Sequence, residues 1–199
     1  MRKSRLEAFS DGVIAILITI MVLELHAPHG NDWSALREVL PSLLTYLLSF
    51  VFLGIYWNNH HHLLQATERI NGVTLWANLH LLFWLSLIPF VTSWMDDSRN
   101  AAVPTAAYGV VLLLCAIAFT VLVRTLLAAH PTKNTRLAEA VGSDRKGKLS
   151  LLFYVAGIPL AFVNPKLADA MYVIVALIWL VPDPRIESRF RGATEQESA

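Results

Sequence analysis

The sequence predicts an all-α integral membrane protein with six transmembrane helices, and three observations carry that expectation. The 199 residues are 55% hydrophobic and only 16% charged, whereas soluble domains of this size are nearer one-quarter charged. The mean hydropathy is +0.51. The apolar residues gather into six runs bounded by charge or turn signals, at roughly 6–25, 36–57, 73–95, 103–128, 149–164 and 167–182. Sixteen Lys and Arg against fifteen Asp and Glu leave a net charge of +1, too weak a field to gather nucleic acid. Cys115 is the one cysteine, which excludes a disulfide framework and a cysteine-based zinc motif.

The first run follows Arg2, Lys3 and Arg5, like the basic start of a signal peptide. Asp11 and Glu24 interrupt its apolar stretch and no A-x-A site follows, so no cleavage is expected. At 1.5 Å per residue the first four runs cross a hydrocarbon core of about 30 Å. The last two have 16 residues each and cross with little tilt or with local thinning. Asn164-Pro165 between them reads as the turn of a tight helical hairpin. Pro41, Pro89 and Pro159 are expected to kink or cap helices rather than abolish them. Trp33 and Trp94 fall near one interface and Trp57, Trp76 and Trp179 near the other, as an aromatic belt. Residues 1–182 form one membrane unit; 183–199 read as a short polar tail and 129–148 as a basic loop with a short amphipathic helix.

Basic residues set the orientation. With the N-terminus inside, 13 of 16 Lys and Arg lie on the cytoplasmic side; only Arg37, Arg99 and Lys166 lie outside. That bias places both termini in the cytoplasm of a multi-pass protein of the cell membrane. Glu24, Asp32, Glu38, Asp96, Asp97 and Asp169 give the outer side six acidic residues against three basic ones, a net of −3.

The first run carries the polar residues that matter most, because charge inside a span is costly and faces a bundle interior or a water-filled path. Helical faces follow from 100° per residue, with Phe9 set to zero. Ile16, Ile20 and Leu23 fall at about −20°, +20° and −40°, a narrow apolar stripe. Ala8, Gly12, Ala15 and Thr19 form a stripe of small residues near −90° that admits the close approach of another helix. Asp11 falls near −160°, turned from the isoleucines toward a neighbouring helix. Periodicity alone assigns the Ile stripe to lipid or a core before a pore.

Arg5-x-x-x-Phe9-Ser10-Asp11-Gly12, followed by Ala15-Ile16 and Thr19-Ile20-x-x-Leu23, resembles the first-helix signature of the transmembrane protein 175 family of potassium channels. Trp57-Asn58-Asn59-His60-His61, Asn78 and Pro89-Phe90 extend the resemblance over the first three runs. The resemblance implies a homotetramer with inside termini, the first helix lining a central pore and no P-loop filter; no Thr-Val-Gly-Tyr-Gly run occurs. By the same resemblance Ile16 forms the main hydrophobic constriction, with Ile20 and Leu23 continuing it outward. Thr19 contributes a hydroxyl layer favouring potassium, and Arg5, Phe9, Ser10 and Asp11 brace the helix with Trp57 and His61 as partners. The implied partners are copies of the chain, membrane lipid and potassium as permeant ion, with no cofactor and no nucleic acid.

His60, His61 and His62 point about 100° apart on a helix, so they do not converge on one metal within a subunit. One is expected to face inward as a polar partner. Asn58, Asn59 and Asn78 suit a polar network at the inner boundary, while Thr45, Tyr46, Ser49, Ser86 and Thr92 suit hydrogen bonds between or along helices. No H-E-x-x-H, G-x-S-x-G or phosphate-loop pattern occurs, which argues against a membrane enzyme. A cation- or proton-coupled secondary transporter stays open as the alternative, although such sites sit near the midplane.

Overall fold

The computed structural model describes residues 3–28, 30–99, 101–129 and 145–180, all helical or linking helices. The polar tail 183–199 and most of the basic loop 129–148 lie outside the described residues. Among the described residues seven α-helices form six apolar segments: α1 Lys3–Ile20, α2 Trp33–Gln65, α3 Gly72–Ser86, α4 Ile88–Asp97, α5 Ala102–Ala128, α6 Arg145–Val163 and α7 Pro165–Leu180. A 3-10 turn, Met21–Glu24, closes α1. Counting α3 and α4 as one, five segments among the described residues are long and apolar enough to span a bilayer; α7 has 16 residues, about 24 Å.

Two boundaries differ from the expected ones. The third run is broken: α3 stops at Ser86 and α4 starts at Ile88. Pro89 lies in the first turn of α4; having no N–H, and a ring that crowds the preceding turn, it ends the α-helical ladder there. Leu87 N–H turns instead to Trp84 O at 3.2 Å. The second run is longer than 36–57, reaching Gln65. The polar stretch Asn58–His62 reads as a membrane boundary, but nothing in it breaks a helix, and the side chains of Asn59, His60 and His61 find partners. Asn59 Nδ2 donates to Ile55 O at 2.8 Å, for example.

Local chemistry sets the other ends. Asp32 caps α2 by accepting from Ala35 N–H at 3.0 Å and from Ser34 Oγ at 2.8 Å. These bonds, that from Ala35 foremost, hold its carboxyl below the ordinary carboxylate value. Asn71 caps α3 through Thr74 N–H at 2.9 Å. Asn164 alone joins α6 to α7, its Oδ1 accepting from Lys166 N–H at 3.0 Å, and Pro165 opens α7 where its missing N–H costs nothing.

α5 is the central post, packed by α3, α4, α6 and α7, while α1 rests on α2 and α3. Tyr172 of α7 is fully buried beside Tyr108 and Tyr154, and Gly109 and Gly157 make room for its ring. A hydroxyl chain pins α4. Thr92 Oγ1 donates to Ile88 O at 2.6 Å, so Ser49 must donate to Thr92 at 2.7 Å and Tyr108 to Ser49 at 2.9 Å. The chain ties α4 to α2 and α5. Of the other hydroxyls, Thr45 bonds back to Pro41 O and Ser86 to Phe83 O within their own helices.

Candidate functional site

α1 divides into a covered and an uncovered face. Leu6, Ser10, Ile14 and Leu17, with Met21 of the 3-10 turn, are buried on the covered side. Arg5, Ala8, Phe9, Gly12, Ala15, Ile16, Thr19, Ile20 and Leu23 are exposed on the other. Ile16 is 59% and Leu23 77% exposed, so the Ile stripe is not core of this protomer. A Cβ built on Gly12 would meet nothing within 4 Å. In a 3-10 turn side chains three apart eclipse, so Leu23 stands over Ile20 and extends the stripe. Thr19 Oγ1 donates its proton to Ile16 O at 2.9 Å. That leaves oxygen lone pairs directed at the open side, the polarity a cation requires.

The lower half of α1 is held to the end of α2 by three rungs spaced four residues apart on each helix. Lys3 Nζ donates to Gln65 O at 3.0 Å. His61 Nδ1 lies 3.4 Å from Glu7 Oε1. Trp57 Nε1 donates to Asp11 Oδ1 at 3.1 Å. Residues four apart share a helix face, so two antiparallel helices meet as a ladder. The rungs support one another: the Trp57 and His61 rings stack at 5.7 Å, and Gln65 Nε2 donates to His61 Nε2 at 2.8 Å. With Nε2 accepting, the N–H of His61 is on Nδ1, facing Glu7.

A second, fully buried chain lies behind the ladder and joins α1, α3 and α2. Ser10 Oγ donates to Leu6 O at 2.9 Å and accepts from Asn78 Nδ2 at 2.9 Å. The amide orientation then presents Asn78 Oδ1 to His60, so His60 Nε2 donates at 2.7 Å. Ser10, Asn78 and His60 are each 0% exposed. His60 is therefore the inward histidine, with its Nδ1 buried and without a hydrogen-bond partner among the described residues.

The bracing set anticipated from the sequence is thus split. Asp11, Trp57 and His61 belong to the ladder, and Ser10 to the buried chain. Arg5 and Phe9 lie on the uncovered face of α1 with Ile16, Thr19, Ile20 and Leu23. Glu7, Gln65 and Lys3 were missed, although the matching four-residue spacings of Glu7-Asp11 and Trp57-His61-Gln65 were available as a signal. Among the described residues no three His, Cys, Asp or Glu side chains are grouped to hold a metal.

Fold and site together define a helical membrane protein whose first helix keeps one small-and-apolar face free and is tied down by polar contacts behind it. Comparison with known proteins narrows the class. The family described as endosomal/lysosomal potassium channel TMEM175 matches residues 5–89. A protein of Chryseobacterium sp. (strain P1-3) named a potassium channel is 52% identical over 191 residues, covering 96% of this chain and 99% of the relative. One from Streptomyces collinus, also named a potassium channel, is 32% identical over 205 residues, covering 92% of this chain and 96% of the relative. The crystal structure of a lysosomal potassium-selective channel TMEM175 homolog from Chamaesiphon minutus superposes with a TM-score of 0.78 at 28% identity, covering 89% of this chain and 96% of that one. The chain belongs to the TMEM175 family.

Proposed function

We propose that the chain is one subunit of a homotetrameric, potassium-permeable channel in which α1 lines the central pore. Family membership makes it an ion channel and not an enzyme, and its bacterial relatives are named as potassium channels. The observation that carries the pore reading is the free face of α1, where Ile16, Ile20 and Leu23 run beside Ala8, Gly12, Ala15 and Thr19. Small residues let helix backbones approach, so four copies of this face can meet around an axis.

In that arrangement a ring of four Ile16 side chains closes the path by excluding water and must widen to conduct. Ile20 and Leu23 continue the constriction outward. Thr19 offers hydroxyl oxygens that replace part of an ion's hydration shell, which favours potassium without the strong selectivity of a carbonyl cage. Asp11, on the opposite side and bonded to Trp57, braces the helix rather than touching the ion. Arg5 and Phe9 sit where a neighbouring subunit would complete their contacts. The distribution of 13 of 16 basic residues supports a cell-membrane protein with both termini cytoplasmic. Residues 1–182 form the channel unit and 183–199 its cytoplasmic tail.

The test is a native-mass subunit count together with planar-bilayer recordings under opposed potassium and sodium gradients. Four subunits and passive currents reversing toward the potassium equilibrium potential are expected. A monomer, or saturable flux that requires a proton gradient, would refute the reading in favour of a transporter.

A further inference from the structure

The outer end of α1 carries a contact that the pore reading does not use. α1 gives way to the 3-10 turn Met21–Glu24, and the turn gives way to extended chain at Leu25. Three-residue eclipsing has two consequences here. It stacks Leu23 over Ile20 on the free side, and Glu24 over Met21 on the covered side. Met21 is buried. Glu24 Oε2 accepts a hydrogen bond from Ser93 Oγ of α4 at 3.0 Å. Met21 and Glu24 line one cleft of about 10 Å³ with Tyr46, Pro89, Thr92 and Ser93. Asp96, one turn above Ser93, lines the same cleft, so Glu24 meets α4 beside a like charge and through a hydroxyl donor.

α4 is itself a separate lever. It is cut from α3 at Leu87 and Pro89, and the chain from Tyr108 through Ser49 to Thr92 fixes it to α5 and α2. Ser93 follows Thr92 directly, so the residue that anchors α4 adjoins the residue that holds the turn. We propose that α4 is the positioning element of the outer constriction: Ser93 holds Glu24, and through it the turn that sets Leu23. Leu23 follows α4, whereas Ile16, about two turns of helix below and nearer the ladder that ends at Asp11, does not. This rests on α1 lining the pore, and the experiment separates the two ideas.

Intersubunit disulfide formation is followed in the full-length protein in liposomes, from single substitutions Leu23→Cys and Ile16→Cys; Cys115 is buried. Ser93→Ala is expected to change the Leu23→Cys rate by about three- to tenfold, the worth of one hydrogen bond, and to leave the Ile16→Cys rate unchanged. Glu24→Ala should reproduce this. Ser93→Thr and Glu24→Gln, which keep the donor and the acceptor, should both behave as the parent at Leu23→Cys. Equal changes at both cysteines would mean general loosening and overturn the proposal, as would a Leu23→Cys rate indifferent to Ser93→Ala. Failure of either cysteine to cross-link between subunits would overturn the pore reading itself.

Discussion

The outward faces of α1 and α5 are both exposed, and they are built differently. α5 shows the surroundings Val103, Val110, Ile117 and Val121, bulky β-branched side chains suited to lipid. Its inner face is filled by Leu112, Cys115, Ala118 and Leu122, all fully buried, with Tyr172 seated against Gly109. α1 shows Ala8, Gly12, Ala15 and Thr19 beside the Ile16–Leu23 ridge. Its covered face packs Leu6, Ile14, Leu17 and Met21 into the core and adds polar partners: the ladder at the base, the Ser10–Asn78–His60 chain behind it and Ser93 at the top. A post held by packing has finished its contacts within the protomer. α1 is fixed by packing together with directed polar contacts and keeps its small residues on the uncovered side.

Substitutions should separate the two regions, and the largest effect is expected at the buried chain. Asn78→Leu strands the Nε2–H of His60 and removes the donor to Ser10, at about 1–3 kcal/mol for each group left without a partner. A fall in thermal stability in detergent and a loss of assembled protein check it. Next, Gly109→Ala drives a methyl into Tyr172 and should lower the thermal stability of the subunit by about 1–3 kcal/mol or more, whereas Gly12→Ala, with open space around it within the subunit, should leave subunit stability unchanged or slightly raised and act on assembly alone. Equal losses at the two glycines would erase the distinction between the faces. Asp11→Ala, which removes one rung, should weaken folding or assembly by about 0.5–1.5 kcal/mol with ion selectivity unchanged. A well-assembled Asp11→Ala protein with altered selectivity alone would move Asp11 into the pore.

The smallest effect concerns the N-cap of α2. Because Asp32 is held below its ordinary value by Ala35 N–H, its contribution is complete above that ordinary value and is lost as pH falls through the lowered one. Acid titration of helical circular dichroism should show a slight extra loss there in the parent, absent in Asp32→Ala.

Much of this contrast is written in the sequence. The stripes of α1 follow from 3.6-residue periodicity and coincide with its exposed residues, because a lone amphipathic helix obeys local geometry. Pro89 announces the break in the third run. The far end of α2 is not legible: Asn58–His62 looks like a boundary, and the partner that buries His60 is Asn78, on another helix. Ser49 and Thr92 read as hydrogen-bonding residues, but Tyr108, which completes their chain from 59 residues away, carries no local mark. Arg5 and Phe9 read as parts of a brace, and within the subunit both are exposed on the uncovered face of α1.

The most direct measurement is single-channel conductance of Ile16→Asn in planar bilayers, set beside Val110→Asn on the lipid-type face of α5. A polar ring at Ile16 should hold water and raise conduction well above the parent, while Val110→Asn conducts as the parent does. Parent-like conduction by Ile16→Asn would contradict the assignment of the free face of α1 to the pore.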